Sequence, residues 1–394
     1  MFNPSPCPAE TEIELADVVR RFALAYLSHF GSVMPSQRRA LSDITACCTR
    51  ELGGRLYQCE GCTGTFWRFH CCRNRSCPKC QGTRTAQWLK QREAELLPCE
   101  YFHAVATVPS ALHPLFLRHQ KLMYGLLMKV SAQAVKELCA QKRHLGALPG
   151  ILSVLHTWNG QLGHHPHVHM LITGGGITED GEHFERTRNQ FLVPVKALSR
   201  KIAMMFRDAL EKDNPELFAQ VPARVWKQEW VSFCKHYGQG NEAVLKYLSR
   251  YVFRTALCNA RILGMDDTHV RFRFKNRETG QWQILRLPGI EFLRRFLLHV
   301  LPRGFHKVRY YGLWHPSKRN LAQSVWLLLL LEKSPPQGKP MKLAELLEAM
   351  NRFAEQETKS LSNHAKESAK LPCCPHCGSQ RTRLLLEWPR FGVP

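Results

Sequence analysis

Apolar positions along the chain switch between a helical and a strand-like rhythm, and the switches mark out its elements. Val18, Val19, Phe22, Ala23 and Tyr26 recur near the 3.6-residue period, so 11–50 read as helical. A charged helix is expected over 83–97, and YFHAVATVP, 101–109, reads as a strand closed by proline. After a helix at 114–141 come two strands, 150–158 and 165–176, joined by a short loop with Gly160 and Gly163. A helix at 195–212, a strand at 228–237 and a helix at 241–253 follow. HVRFRFK, 269–275, alternates as a strand does, and 281–287 pairs with it as a hairpin across NRETG. A helix at 289–300 and a strand at 305–311 close this run. KSPPQGKP, 333–340, is a proline-rich break, with a further helix expected at 341–356. Strands with intervening helices and a hairpin predict an α+β fold with a mainly antiparallel central sheet flanked by helices.

At 394 residues the chain has room for two or three domains. Lys and Arg number 55 against 32 Asp and Glu, a net charge of +23. A soluble fold does not need that excess, which favours a polyanionic partner, nucleic acid before membrane. The longest apolar run, 325–331, is too short for a bilayer, which takes about 20 residues. The N-terminus has no basic start followed by an apolar core, so no signal peptide and a reducing cytoplasm are expected. There, 16 cysteines point to metal or free thiols before disulfides.

Nine of those cysteines fall between 47 and 99, which locates a metal-bound module. Cys59-x-x-Cys62 and Cys77-x-x-Cys80 stand fourteen residues apart, close to the spacing by which two thiolate pairs hold one tetrahedral zinc. Four sulfurs with no open position make a structural site. Cys47, His70, Cys71 and Cys72 are spare candidates for a second ion. Arg73, Arg75 and Lys79 thread through the module and suit phosphate contact. In the tail, Cys374-x-x-Cys377 is a half-site with no obvious second pair; Cys373, His376 or another chain are the candidates to complete it.

His164-His165-Pro166-His167-Val168-His169 carries a second kind of chemistry. Alternate side chains of a strand share a face, so His167 and His169 point one way and Val168 points to a core. Two imidazoles in register can hold one divalent cation. Tyr247 and Tyr251 lie four apart on one side of a helix, at the border of its apolar stripe, with Arg254 on the same border. A tyrosine hydroxyl titrates near pH 10, so as a nucleophile it needs a nearby cation and a metal-polarised electrophile such as a phosphodiester.

These motifs, in this order, resemble the HUH (His-hydrophobic-His) single-strand nucleases, specifically the two-tyrosine rolling-circle transposases of the insertion sequence ninety-one family. The resemblance runs over roughly 15–320: CRNRSCPKCQ at 72–81, HPHVH with the GGG of 174–176, YLSRYVFRTALCNARI at 247–262, and EFLRRFLLHVLPRGFHKVRYYG at 291–312. It implies that His167 and His169 bind Mg²⁺ or Mn²⁺ with a third ligand, for which Gln161 is the first choice and His156 the next. It implies that Tyr247 or Tyr251 attacks single-stranded DNA to leave a 5′-phosphotyrosine adduct and a free 3′-hydroxyl, while the other captures the second end. The zinc module would grip transposon-end DNA, placing the protein with the bacterial nucleoid. The implied organisation is a helical, zinc-binding recognition module at 1–100, a HUH-like catalytic domain at 101–332, and a linker, helix and CxxC tail at 333–394.

Two other readings compete. A zinc hydrolase would use His165, His167 and His169, but Met170 and Leu171 stand where a nearby carboxylate base is wanted. A zinc-ribbon DNA-binding regulator would need no catalysis, and would leave no tyrosine-linked DNA.

Overall fold

The computed structural model describes residues 13–81, 96–239, 244, 247, 251–252, 254–276, 278–333 and 371–389. The helix expected at 341–356, the proline-rich break and nearly all of the helix expected at 83–97 lie outside them. In chain order the elements are α1 (Leu15–Phe30), α2 (Pro35–Thr45), β1 (Gly54–Cys59), β2 (Thr65–Phe69), β3 (Glu100–Thr107), α3 (His113–Arg118) and α4 (Gln120–Cys139). Then come β4 (Leu148–Trp158), β5 (His164–Ile177), β6 (Phe184–Arg186), α5 (Val195–Asp213), α6 (Pro215–Ala219), α7 (Arg224–Lys227) and β7 (Val231–Gln239). The chain continues through β8 (Ile262–Met265), β9 (His269–Lys275), β10 (Trp282–Pro288), α8 (Gly289–Leu297), β11 (Val308–Gly312), α9 (Arg319–Lys333) and β12 (Thr382–Trp388).

Every pairing between these strands is antiparallel. Helices flank the largest sheet, as the α+β reading expects. The chain divides into two compact units, one from Met1–Gly82, Leu257–Val300 and Leu361–Pro394, the other from Thr83–Ala256 and Leu301–Ser360. Sequence neighbours are therefore not unit neighbours. The tail expected to stand apart returns instead to the N-terminal unit, where β12 pairs with β1 to complete a β12-β1-β2 sheet. Local patterning could not show this, because the pairing joins segments more than 300 residues apart. The same unit holds the β10-β9-β8 sheet and α8.

The second unit is built on a sheet of order β11-β4-β5-β3-β7, with β6 added at the end of β5. β5 is central and buried on both faces from Pro166 onward, with Val168, Met170 and Ile172 on one face and His167, His169 and Leu171 on the other. On one side Phe102, Ala104, Leu155, Val168, Met170 and Ile172 meet α4 and α5. Each such large side chain contributes about 1.5–3 kcal/mol by leaving water. On the other side Leu152, Val154 and Leu171 pack with Val244, Tyr247, Val252 and α9. The glycine run at the end of β5 has a steric cause. A Cβ on Gly174 would stand 2.8 Å from Glu100, one on Gly175 2.5 Å from the Phe184 ring, and one on Gly176 2.5 Å from the Leu148 backbone.

Candidate active site

The register of the sheet fixes which histidines meet. His167 lies opposite His156 of β4, and His169 opposite Val154 of β4 and Val105 of β3. Directly opposed residues share a face, so His156, His167 and His169 point together, with His103 of β3 two residues along from Val105. One ligand nitrogen from each of His156, His167 and His169 lies within 4.8 Å of the others, and all three side chains are buried. His165, the third histidine of the hydrolase reading, is not in this group.

Hydrogen bonds orient each ring. His156 Nε2–H donates to the Tyr251 carbonyl oxygen at 2.8 Å, and His167 Nδ1–H donates to the His165 carbonyl oxygen at 2.7 Å. A carbonyl can only accept, so in the neutral rings the lone pairs sit on His156 Nδ1 and His167 Nε2. His169 Nδ1 shares a 3.0 Å hydrogen bond with His103 Nε2. Burial, then the neighbouring imidazoles, hold His156 and His169 well below the usual histidine range. Burial likewise lowers His103 to about 4. Neutral imidazole is the form that ligates a metal.

Tyr247 and Tyr251 both stand on helical backbone against this face. The Tyr251 ring centroid is 4.2 Å from that of His169, 5.1 Å from His103 and 5.9 Å from His156. Tyr247 is 4.7 Å from Tyr251 and 5.1 Å from His103, and also meets Tyr237. The two differ in access. Tyr247 is wholly buried, its hydroxyl has no hydrogen bond among the described residues, and burial raises its pKa well above the usual tyrosine value. Tyr251 is half-buried. Arg254 is exposed, and its charge reaches both His156 and His169.

Gln161, the first choice for the third position beside His167 and His169, lies on the exposed turn between β4 and β5, where its backbone N–H donates to Asn159 Oδ1 at 3.0 Å. His156, the next choice, groups with the pair. Leu152, Val154 and His156 alternate on one face of β4 in the sequence itself, but only the hairpin register sets His156 across from His167. His103 was missed altogether; its signal was a single imidazole in an otherwise apolar strand.

The cysteines also group differently from expectation. Cys59, Cys62, Cys77 and Cys80 do not converge. Cys77 and Cys80 meet Cys47 and Cys72, all four buried, while Cys59 and Cys62 meet Cys374 and Cys377. The β1–β2 hairpin is the reason. Cys59 is at its tip and Cys72 lies beyond its base, and a five-residue strand spans roughly 16 Å. In the first group, sulfurs stand 3.8 Å (Cys47 and Cys77), 3.7 Å (Cys47 and Cys80) and 3.5 Å (Cys72 and Cys80) apart. Disulfide sulfurs would be about 2 Å apart; edges of a thiolate tetrahedron around zinc are about 3.8 Å. Around this group Arg73 is exposed, Arg75 is half-buried, and Lys79 pairs with Glu14 at 2.9 Å.

A cysteine-clustered unit, and an antiparallel sheet presenting three buried histidines to two tyrosines, define a two-part α+β protein with a tyrosine-flanked candidate metal centre. The comparisons carry this further. Residues 18–108 match the family described as "Transposase zinc-binding domain", and 150–321 the family described as "Putative transposase". The chain is 38% identical over 383 residues to "Putative transposase y4qJ" of Sinorhizobium fredii, covering 92% of each. It is 26% identical over 306 residues to "Transposase for insertion sequence element IS801" of Pseudomonas savastanoi pv. phaseolicola, covering 73% of this chain and 72% of that one. No solved structure matches it significantly. The chain belongs to the transposases of the insertion sequence ninety-one family, with their zinc-binding domain, as its motifs implied.

Proposed function

We propose that this transposase cuts and rejoins single-stranded DNA through a 5′-phosphotyrosine link, in rolling-circle fashion on a HUH-like sheet, and that Tyr251 attacks first. The observation that carries the reading is the 4.2 Å ring separation between Tyr251 and His169, inside the one histidine trio among the described residues. Three imidazole nitrogens within 4.8 Å of one another on one buried face suit a divalent cation. The donor set favours Mn²⁺ over Mg²⁺, since imidazole is a softer ligand than the oxygens magnesium prefers. Bound by His156, His167 and His169, the ion would polarise the scissile phosphate.

The Tyr251 hydroxyl oxygen attacks phosphorus and passes its proton to solvent water. The bond from phosphorus to the 3′ oxygen breaks, and that oxygen leaves as a 3′-hydroxyl after taking up a proton. Arg254 supplies positive charge where the phenolate forms. The phosphodiester energy is kept in the tyrosyl link, so rejoining needs no outside energy source. Tyr247, wholly buried, is held back for the second strand end and must be uncovered before it acts.

The Cys47, Cys72, Cys77 and Cys80 group is the structural zinc site, closed by four thiolates, and Arg73 and Arg75 beside it contact transposon-end DNA. The protein works in the cytoplasm, on the nucleoid. The test is incubation with labelled single-stranded transposon-end DNA and Mn²⁺, followed by a denaturing gel. A protein-linked band that vanishes with chelator is expected; binding with no linked band would leave a DNA-binding regulator.

A further inference from the structure

We propose that Cys59, Cys62, Cys374 and Cys377 hold a second structural zinc, which clasps the tail onto the N-terminal unit. Neither matched family segment contains this set, because Cys374 and Cys377 lie beyond both. The geometry is that of a four-thiolate site. Cys59 Sγ is 3.5 Å from Cys377 Sγ and Cys62 Sγ 3.7 Å from Cys374 Sγ, near the roughly 3.8 Å edge of a zinc–thiolate tetrahedron.

Each pair sits in a tight turn, built so that two sulfurs face one point. In the first, Cys59 N–H donates to the Gly64 carbonyl at 2.9 Å, and Gly61 N–H donates to Cys59 Sγ at 3.3 Å. In the second, Cys374 N–H donates to the Ser379 carbonyl at 2.8 Å and Gly378 N–H to the Cys374 carbonyl at 2.9 Å, with Gly378 at φ +72°. Only a residue at ease with positive φ closes that turn without strain. The turns stand where β1 and β12 begin their pairing, from Cys59 opposite Thr382 to Gly54 opposite Trp388. Most of β12 beyond Thr382 is exposed, so little apolar burial holds this strand in place. Metal ligation supplies what burial does not.

The two four-cysteine sites differ in access. All four thiols of the first are buried, whereas Cys62 and Cys377 of the second are exposed. A chelator therefore strips the clasp first.

The test counts zinc on the full chain by native mass spectrometry, with release to a colorimetric chelator followed in time. The expected wild-type count is two, released in a fast and a slow phase. Cys374→Ser with Cys377→Ser should halve the count, remove the fast phase and speed amide exchange in β1. A single zinc in the wild type, or an unchanged count in the serine variant, overturns the clasp. If the serine variant loses both ions through misfolding, Cys377→His decides, since imidazole can replace the thiolate. Two ions in that variant support the site and fewer contradict it.

Discussion

The His156 ring is bonded to the main chain of Tyr251: its Nε2–H donates to the tyrosine carbonyl at 2.8 Å. One side chain thus faces the histidine trio with one nitrogen and anchors the tyrosine helix with the other. His156→Ala should lower Mn²⁺ affinity by more than about tenfold and slow cutting at saturating metal as well, because it removes a ligand and a tether together. Gln161→Ala, on the exposed turn, should leave both within about twofold. Metal titrations of the cutting rate distinguish them, and the reverse order would return Gln161 to the third position.

His103 is hydrogen-bonded to His169, so the proposed site assigns it a positioning role. Its 3.0 Å hydrogen bond fixes the His169 ring, and partners of this kind are worth about 10–100-fold in metal affinity. His103→Ala should raise the Mn²⁺ concentration for half-maximal rate by that range while sparing the saturated rate. The same residue gives a pH signature in metal-free protein. Its pKa falls to about 4 on folding, against about 6.5 when unfolded. Between those values the unfolded chain binds the extra proton, so stability declines as pH drops from 6.5 toward 4, by up to about 3 kcal/mol. Urea melts of wild type and His103→Gln across that range should show a shallower decline in the variant.

Much of this arrangement was legible in the sequence, and the exceptions share a cause. Strict alternation in β9 and helical spacing in α1 are local signals, and they located those elements to within a few residues. The pairing of His167 and His169, and the nearness of Tyr251, also followed from local periodicity together with family motifs. The placement of His156 across from His167 depended on register across a hairpin. The partition of the cysteines depended on a hairpin length and on a strand arriving from the far end of the chain. β1 and β2 were overlooked because they are short and interleaved with cysteines, polar residues and glycine, so neither shows a clean apolar rhythm.

The glycine run of β5 offers a test of packing apart from chemistry. A methyl group on Gly176 would meet the Leu148 backbone at 2.5 Å, where no side chain can swing aside. Gly176→Ala should cost about 1–3 kcal/mol, read as a lower urea midpoint at constant slope. An unchanged midpoint would mean that β4 and β5 are spaced more loosely at that end.

The central claim is the assignment of the first nucleophile, and it is tested most directly by mapping the DNA-linked peptide after a single round of cutting. Wild type and Tyr247→Phe should both carry the nucleotide on Tyr251, and Tyr251→Phe should yield no first-strand adduct. A nucleotide found on Tyr247 in the wild type, or an adduct surviving in Tyr251→Phe, would contradict it.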